Sequence, residues 1–336
     1  MIDVPLSVLD LAPVAAGTTP GEALRNTTEL ARRTEALGYQ RFWVAEHHNM
    51  PAIASSSPAV LLAHIAAHTS TIRVGSGGVM LPNHAPLVVA EQFGTLEALH
   101  PGRVDLGIGR APGTDPGTAL ALRRTAEGLS AEDFPEELAS LIGYFTGQER
   151  IVATPGRGDM PAIWLLGSSG FSAQLAGMLG LPFSFAHHFS AQNTEPALEL
   201  YRRHFQPSQW LAEPYAMVAV SAICADTDER AEWLAGPSSL SFLKLRQGRP
   251  EPLVSPDEAA AYPFTPLERQ FVADRRVGQA LGSPETVERQ LSELVARTGA
   301  DELMLTAFVY DIEDRARSFE LIAGKVAGPA GSADAG

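Results

Sequence analysis

Arg41-Phe42-Trp43-Val44-Ala45-Glu46-His47-His48 is an apolar run that ends abruptly in one carboxylate and two imidazoles. The run reads as a buried strand, since an apolar stretch without polar alternation belongs to a strand covered on both faces. In a parallel α/β barrel, side chains at the carboxyl end of a strand project into the mouth where such barrels keep their sites. Three titratable groups at that place need a ligand, a metal or a reaction to offset their desolvation.

Outward from this stretch the same unit repeats. Leu6 to Leu9 precedes a helical pattern from Pro20 to Leu37, and the strand at Arg41 precedes the alanine-rich helix Pro58 to His68. Ile72 to Met80 leads to Pro86 to Leu99, with proline in the first turn where its missing N–H does no harm. Val104 to Ile108, Ala162 to Leu166, Phe183 to Ala186, Tyr215 to Ile223 and Leu303 to Phe308 are each followed by a helical segment. Eight strand–helix units without a break in composition predict a single α/β domain, a (β/α)8 TIM barrel over residues 1–326. The irregular part is Gln247 to Gly282, an insertion before the last strand with five prolines between Pro250 and Pro266. We expect it to be a lid, with Tyr262, Phe264 and Phe271 as apolar cover. Residues 327–336 are glycine- and alanine-rich without periodicity and are expected to be a disordered tail.

Composition narrows the class. Hydrophobic residues make up 45% of the 336, enough for a large core. A formal charge of −14 argues against a nucleic-acid or anionic-membrane partner. The single cysteine, Cys224, rules out an internal disulfide, and no apolar run reaches the length of a membrane span. The expectation is a cytoplasmic protein.

Other segments at strand ends carry chemistry. Gly75-Ser76-Gly77-Gly78 interrupts an apolar strand, which marks a bulge or a close backbone approach to a ligand. Gly107-Ile108-Gly109-Arg110-Ala111-Pro112-Gly113 follows the fourth strand, but Pro112 holds the third glycine position of a dinucleotide fingerprint. Gly167-Ser168-Ser169-Gly170, with Ser172 close behind, turns a strand into a helix: a phosphate site, a plain serine N-cap, or both. Consecutive histidines on a strand point to opposite faces, so only one of His47 and His48 looks inward. A metal would need further ligands such as His187 or His188; a hydrogen-bonded structural histidine is the other alternative.

In their order and spacing, together with Met80-Leu81-Pro82, Pro101-Gly102-Arg103 and Gly282-Ser283-Pro284-Glu285, these segments resemble the bacterial luciferase-like family of flavin-dependent monooxygenases, in its single-chain branch. The resemblance implies oxygenation of a small organic substrate by FMN and O2 through a C4a-peroxyflavin, with reduced FMN supplied by a separate flavin reductase. It implies that His47 is catalytic, that Arg110 lies against the flavin on its phosphate side, and that Ser168, Ser169, Gly170 and Ser172 take the phosphate. Ser168 stands where relatives carry glutamate. It also implies a cis peptide at Gly77 and Gly78 against the ring, His187 as a cofactor-pocket wall, and Asp10, Glu46 and His188 facing the substrate; no metal is expected. An F420-dependent oxidoreductase on the same barrel and a non-catalytic flavin-binding protein are the alternatives. The helices Pro58 to His68 and Pro86 to Leu99 are expected to form a homodimer interface, because an all-apolar helix outside a barrel cannot face water on one side.

Overall fold

The computed structural model describes residues 1–111, 113–123 and 133–326; the expected tail at 327–336 lies outside the described residues. The chain runs β1 (Leu6–Asp10), α1 (Pro20–Ala36), β2 (Arg41–Val44), α2 (Pro58–His68), β3 (Arg73–Ser76), β4 (Val79–Met80), α3 (Pro86–Leu99) and β5 (Val104–Gly109). It continues through α4 (Pro116–Arg123), α5 (Phe134–Thr146), β6 (Ala162–Gly167), α6 (Gly170–Leu179), β7 (Phe183–Ala186), α7 (Thr194–His204), β8 (Ala216–Cys224) and α8 (Asp228–Arg246). Then come α9 (Pro256–Ala261), α10 (Pro266–Arg276), β9 (Ala280–Gly282), α11 (Pro284–Thr298), β10 (Glu302–Thr306) and α12 (Ile312–Ala323).

Strands β1, β2, β3, β5, β6, β7, β8 and β10 pair in parallel in that order, and β10 pairs back with β1 to close the barrel. Leu6 stands opposite Leu303 across the closing seam and Val8 opposite Phe42 on the next. The short β4 lengthens the wall beside β5, and β9 pairs with the far end of β8. This is the (β/α)8 TIM barrel that the eight apolar runs predict. Among the described residues no helix is long and apolar enough to cross a membrane.

Both faces of each strand are buried, which is why the strands read as unbroken apolar runs. Val8, Phe42, Val44, Leu106 and Phe185 point outward into the layer beneath the helices. Leu9, Trp43, Ala45, Trp164, Met217 and Met304 point inward and form a separate interior cluster. Trp43 and Trp164 meet edge to face at 5.3 Å, and Trp164 meets Tyr215 the same way at 5.7 Å. Gly75 makes room for this layer, since a Cβ there would stand 2.5 Å from Trp43 Nε1.

Below the tryptophans the interior is charged. Arg41 donates to Asp105 at 2.9 Å and to both oxygens of Glu302 at 3.1 and 3.2 Å. Asp105 also accepts from Trp43 Nε1 at 3.0 Å and from Arg73 at 2.6 Å, while Tyr215 and Ser7 donate to Glu302. Both carboxylates are fully buried, so their cost is met only by this complete set of donors.

The insertion differs from its expectation as an irregular lid. Ser255-Pro256-Asp257-Glu258 and Thr265-Pro266-Leu267-Glu268 each form a complete capping box that starts a short helix. Pro256 and Pro266 sit at the first helical position, where proline starts a helix rather than breaking it. Tyr262, Phe264 and Phe271 do not cover the barrel mouth. They pack with Leu240, Leu243 and Ala259 into a small core between α8, α9 and α10, and Phe271 stacks on Phe242 at 5.8 Å. Leu253 bonds to Val14 and Ala16 of the loop after β1, tying the insertion over the mouth.

Removing one member of the buried charge cluster tests how much it supports. Asp105→Ala leaves Arg41 and Arg73 facing a gap and is expected to lower unfolding stability by about 3–5 kcal/mol. Urea unfolding measures it, and a loss below about 1 kcal/mol would mean that water or rearrangement replaces the carboxylate.

Candidate active site

A cavity of about 340 Å³ opens at the carboxyl ends of the strands. Period-two alternation decides what lines it. On β1 and its extension Leu9 and Leu11 face the cavity; beyond β2 Ala45 and His47 do; on β7 and beyond, Ser184, Ala186 and His188 do; on β10 and beyond, Met304, Thr306 and Phe308 do. Their neighbours of opposite parity within the strands turn away; past the end of β7, Phe189 lines the cavity beside His188.

Three expectations are corrected on this ground. Asp10 is not in the substrate pocket: it points outward, pairs with Arg315 at 3.0 Å and accepts from Thr27 at 2.5 Å. Glu46 does not face the substrate: it is fully buried beneath the mouth and lines none of the cavity. His187 is not a cavity wall. Its Nδ1 bonds Thr194 Oγ1 at 2.7 Å and its ring lies against Gly278, whereas His188 stands in the cavity.

Glu46 organises the histidines instead. Its Oε1 meets His48 Nε2 and His84 Nε2 at 2.9 Å each, and its Oε2 accepts from the Met80 N–H at 3.0 Å. Burial would raise this carboxyl, but the hydrogen bonds from His48, His84 and Met80 outweigh it and bring it to about 2. The ionised carboxylate thereby joins the turn after β2 to the turn after β4. His84 was not singled out from the sequence, because nothing in its local pattern places it beside Glu46.

His47 is held between these turns. Its N–H donates to Ser55 O at 2.9 Å and its Nδ1 lies 3.2 Å from Gly113 O. A carbonyl only accepts, so Nδ1 carries the proton and Nε2 is left with a lone pair. Burial keeps this imidazole below its ordinary value despite the Gly113 carbonyl. His188 repeats the arrangement: Nδ1 bonds Ala219 O at 2.9 Å, and burial lowers the ring to about 4. Two neutral imidazoles therefore line one cavity.

The opposite wall has almost no side chains. Gly77, Gly78 and Gly109 line it, and the Gly77–Gly78 peptide is cis. A Cβ on Gly77 would stand 2.6 Å from Leu9 Cδ1, and one on Gly78 would stand 2.8 Å from the Gly107 carbonyl oxygen. This part of the wall is backbone.

Beside it Arg110, Ser168, Ser169 and Ser172 reach the cavity from the ends of β5 and β6 and the start of α6. Gly170 does not line the cavity; it is the first residue of α6. Ser169 occupies the N-cap position, yet its hydroxyl makes no capping bond and is free for another acceptor or donor. Arg110 lies 4.4 Å over the Phe171 ring and has no ion pair among the described residues. Helix N–H groups, three hydroxyls and an uncommitted guanidinium are the donors that an oxoanion takes. The far wall comes from α8, α10 and the segment after it: Ser238, Ser241, Phe242, Leu245, Arg275 and Gln279.

The family described as luciferase-like monooxygenase matches residues 4–302. The chain is 54% identical over 325 residues to the uncharacterised protein YvbT of Bacillus subtilis (strain 168), covering 96% of each. It is 44% identical to the luciferase-like monooxygenase of Escherichia coli (strain K12), over 95% of this chain and 96% of that one. Among solved structures it is similar to apo-MsnO8, with a TM-score of 0.89, 40% identity and coverage of 96% and 98%. Its fold also resembles that of the oxygenating constituent of 3,6-diketocamphane monooxygenase of Pseudomonas putida, solved with FMN, with a TM-score of 0.70, 20% identity and coverage of 98% and 100%.

The Glu46 arrangement makes stability depend on pH. Its carboxyl lies near 2 in the folded protein against an ordinary 4.5, so its contribution is complete above about 4.5 and is lost as pH falls towards 2. Glu46→Gln should cost about 3 kcal/mol at pH 7, with the two proteins converging near pH 2. Denaturant unfolding across that range checks it; parallel curves would mean that Glu46 is not the titrating group.

Proposed function

Because the chain belongs to the luciferase-like monooxygenase family, we propose that it uses FMN, reduced by a separate flavin reductase, and O2 to oxygenate a small organic substrate. The observation that carries this reading is one pairing in the cavity: the uncommitted Arg110 with the uncapped Ser168-Ser169 turn, next to the backbone wall of Gly77, Gly78 and Gly109. The first suits a terminal phosphate, and the second suits a planar ring that needs a surface without side chains.

The residues fit the cofactor as follows. Arg110, Ser168, Ser169 and Ser172 would hold the phosphate, with N–H groups at the start of α6 aimed at it. Gly77, Gly78 and Gly109 would lie against the ring. When bound, reduced FMN supplies the electrons that activate O2 for transfer of one oxygen atom. His47 manages protons beside the ring: its Nδ1–H is committed to Gly113, and its Nε2 accepts a proton and returns it. Glu46, acting through the turn it anchors, positions His47 without touching the substrate. The apolar lining from Leu9, Leu11, Met304 and Phe308 excludes water from the reacting face.

The reading extends to assembly as a homodimer. On α2 Leu61, Leu62, Ile65 and Ala66 are buried against the barrel, while Val60, Ala63 and Ala67 are exposed; α3 exposes Val88 and Leu99. A second copy of the same apolar face would cover this surface.

Titration with oxidised FMN, followed by turnover with photoreduced FMN, labelled O2 and a panel of aldehydes and thioethers, tests the reading. His47→Ala is expected to keep FMN affinity but slow labelled-oxygen incorporation by about 10²-fold, with O2 consumed and hydrogen peroxide released. Arg110→Ala should weaken FMN binding first. Wild-type turnover by His47→Ala, or binding of F420 in preference to FMN, overturns it. For the dimer, Val60→Glu should convert the protein to monomers in light scattering; a wild-type monomer at micromolar concentration refutes that interface.

A further inference from the structure

The flavin reading employs Arg110 and leaves a second guanidinium in the same cavity without a role. Arg275 reaches the cavity from the last turn of α10, and its guanidinium carbon lies 3.5 Å from the centre of the Phe242 ring on α8. One flat face of the group is therefore covered, and its N–H edge remains for a partner. Among the described residues Arg275 has no hydrogen bond and no ion pair. Glu251 is the one acidic residue among those lining the cavity, and it is engaged by Lys244. Burial brings Arg275 down to about 10, as befits a cation removed from water without a counter-charge.

The surroundings limit what that partner can be. Arg275 stands at the carboxyl end of a helix, where the main chain presents carbonyls rather than N–H groups. A phosphate dianion finds no backbone donors there, unlike at the start of α6. A planar anion with two oxygens matches the guanidinium fork, and Ser241 and Gln279 on the same wall offer neutral donors, while the Ser238 hydroxyl donates to the Ala235 carbonyl. The rest of the cavity beyond the glycine wall is mostly apolar, with Met50, Ile53, Leu245 and Phe308 outweighing Ser184, Ser221 and Thr306.

We propose that Arg275 binds a carboxylate of the substrate, so that the enzyme takes an amphipathic monocarboxylic acid with its charged end at α10 and its apolar body towards His47 and His188. The word substrate here rests on the flavin reading; the anion site itself does not.

Octanoate and octanamide, equal in length and different in charge, are suitable probes for calorimetric titration into the FMN-loaded protein. Wild type is expected to bind octanoate about tenfold or more tighter than octanamide, the usual reach of a charge-assisted pair. Arg275→Gln should abolish that preference and Arg275→Lys, which keeps the charge but loses the fork, should retain only part of it. FMN affinity should stay within about twofold of wild type in both variants. Absence of a preference in wild type, or its persistence in both variants, overturns the proposal, and so does a loss of FMN affinity in Arg275→Gln, which would assign Arg275 to the cofactor. The same titrations on flavin-free protein separate the two readings: failure of wild type to bind FMN removes the flavin assignment while the octanoate preference still reports on Arg275.

Discussion

A closed parallel barrel gives every strand one row of side chains that must fit inside a cylinder, and the rest of this structure follows from how that cylinder is filled. At the amino end Arg41, Asp105 and Glu302 form a fully bonded ionic layer. Trp43 and Trp164 fill the level above it. Beyond them the end of β3 and the end of β5 bring Gly77 and Gly109 to the interior side, so the filling stops and the cavity begins. The volume available for chemistry is thus set by glycine at the ends of two adjacent strands, and beneath its lining of Leu9, Leu166 and Met304 lie two tryptophans resting on charges.

The second ordering element is Glu46. A carboxylate that accepts from His48, His84 and the Met80 main chain couples two βα turns into one rigid rim. His47, between Glu46 and His48 in sequence, is carried by that rim without sharing its hydrogen bonds. The outcome is a division of labour among adjacent residues: the carboxylate stays ionised and buried, and the imidazole beside it stays neutral and faces the cavity. His188 across the cavity has the same tautomer for the same reason, a backbone carbonyl at its Nδ1.

Much of the architecture was legible because burial on both faces writes apolar runs into the sequence, and eight of them alternate with amphipathic helices. The strand ends were legible too, since abrupt polar or glycine-rich steps after an apolar run mark the mouth. Within each step, however, adjacent residues compete for one inward position. Ala45 and His47 against Glu46, His188 against His187 and Leu9 against Asp10 are decided by the parity of the strand as it enters the closed barrel. The prolines of the insertion misled for a related reason: proline in the first turn and proline in mid-helix are the same letter, and Ser255 with Glu258 and Thr265 with Glu268 show which use is meant.

The sequence by itself determined the barrel, its mouth and the strand-end segments that hold Gly77, Gly78 and the Ser168-Ser169 turn, because strand burial and turn chemistry are local properties; the family resemblance singled out His47 and Arg110 among them. Only the tertiary structure decided that Glu46 holds the rim with His84, that His187 is turned away, and that Arg275 stands in the cavity. Those facts depend on contacts between segments far apart in the chain, such as His84 with Glu46 and Arg275 with Phe242. Docking of α10 on α8 carries Arg275 there, and helix docking is set by the shape of two packed surfaces, which no single stretch of sequence contains.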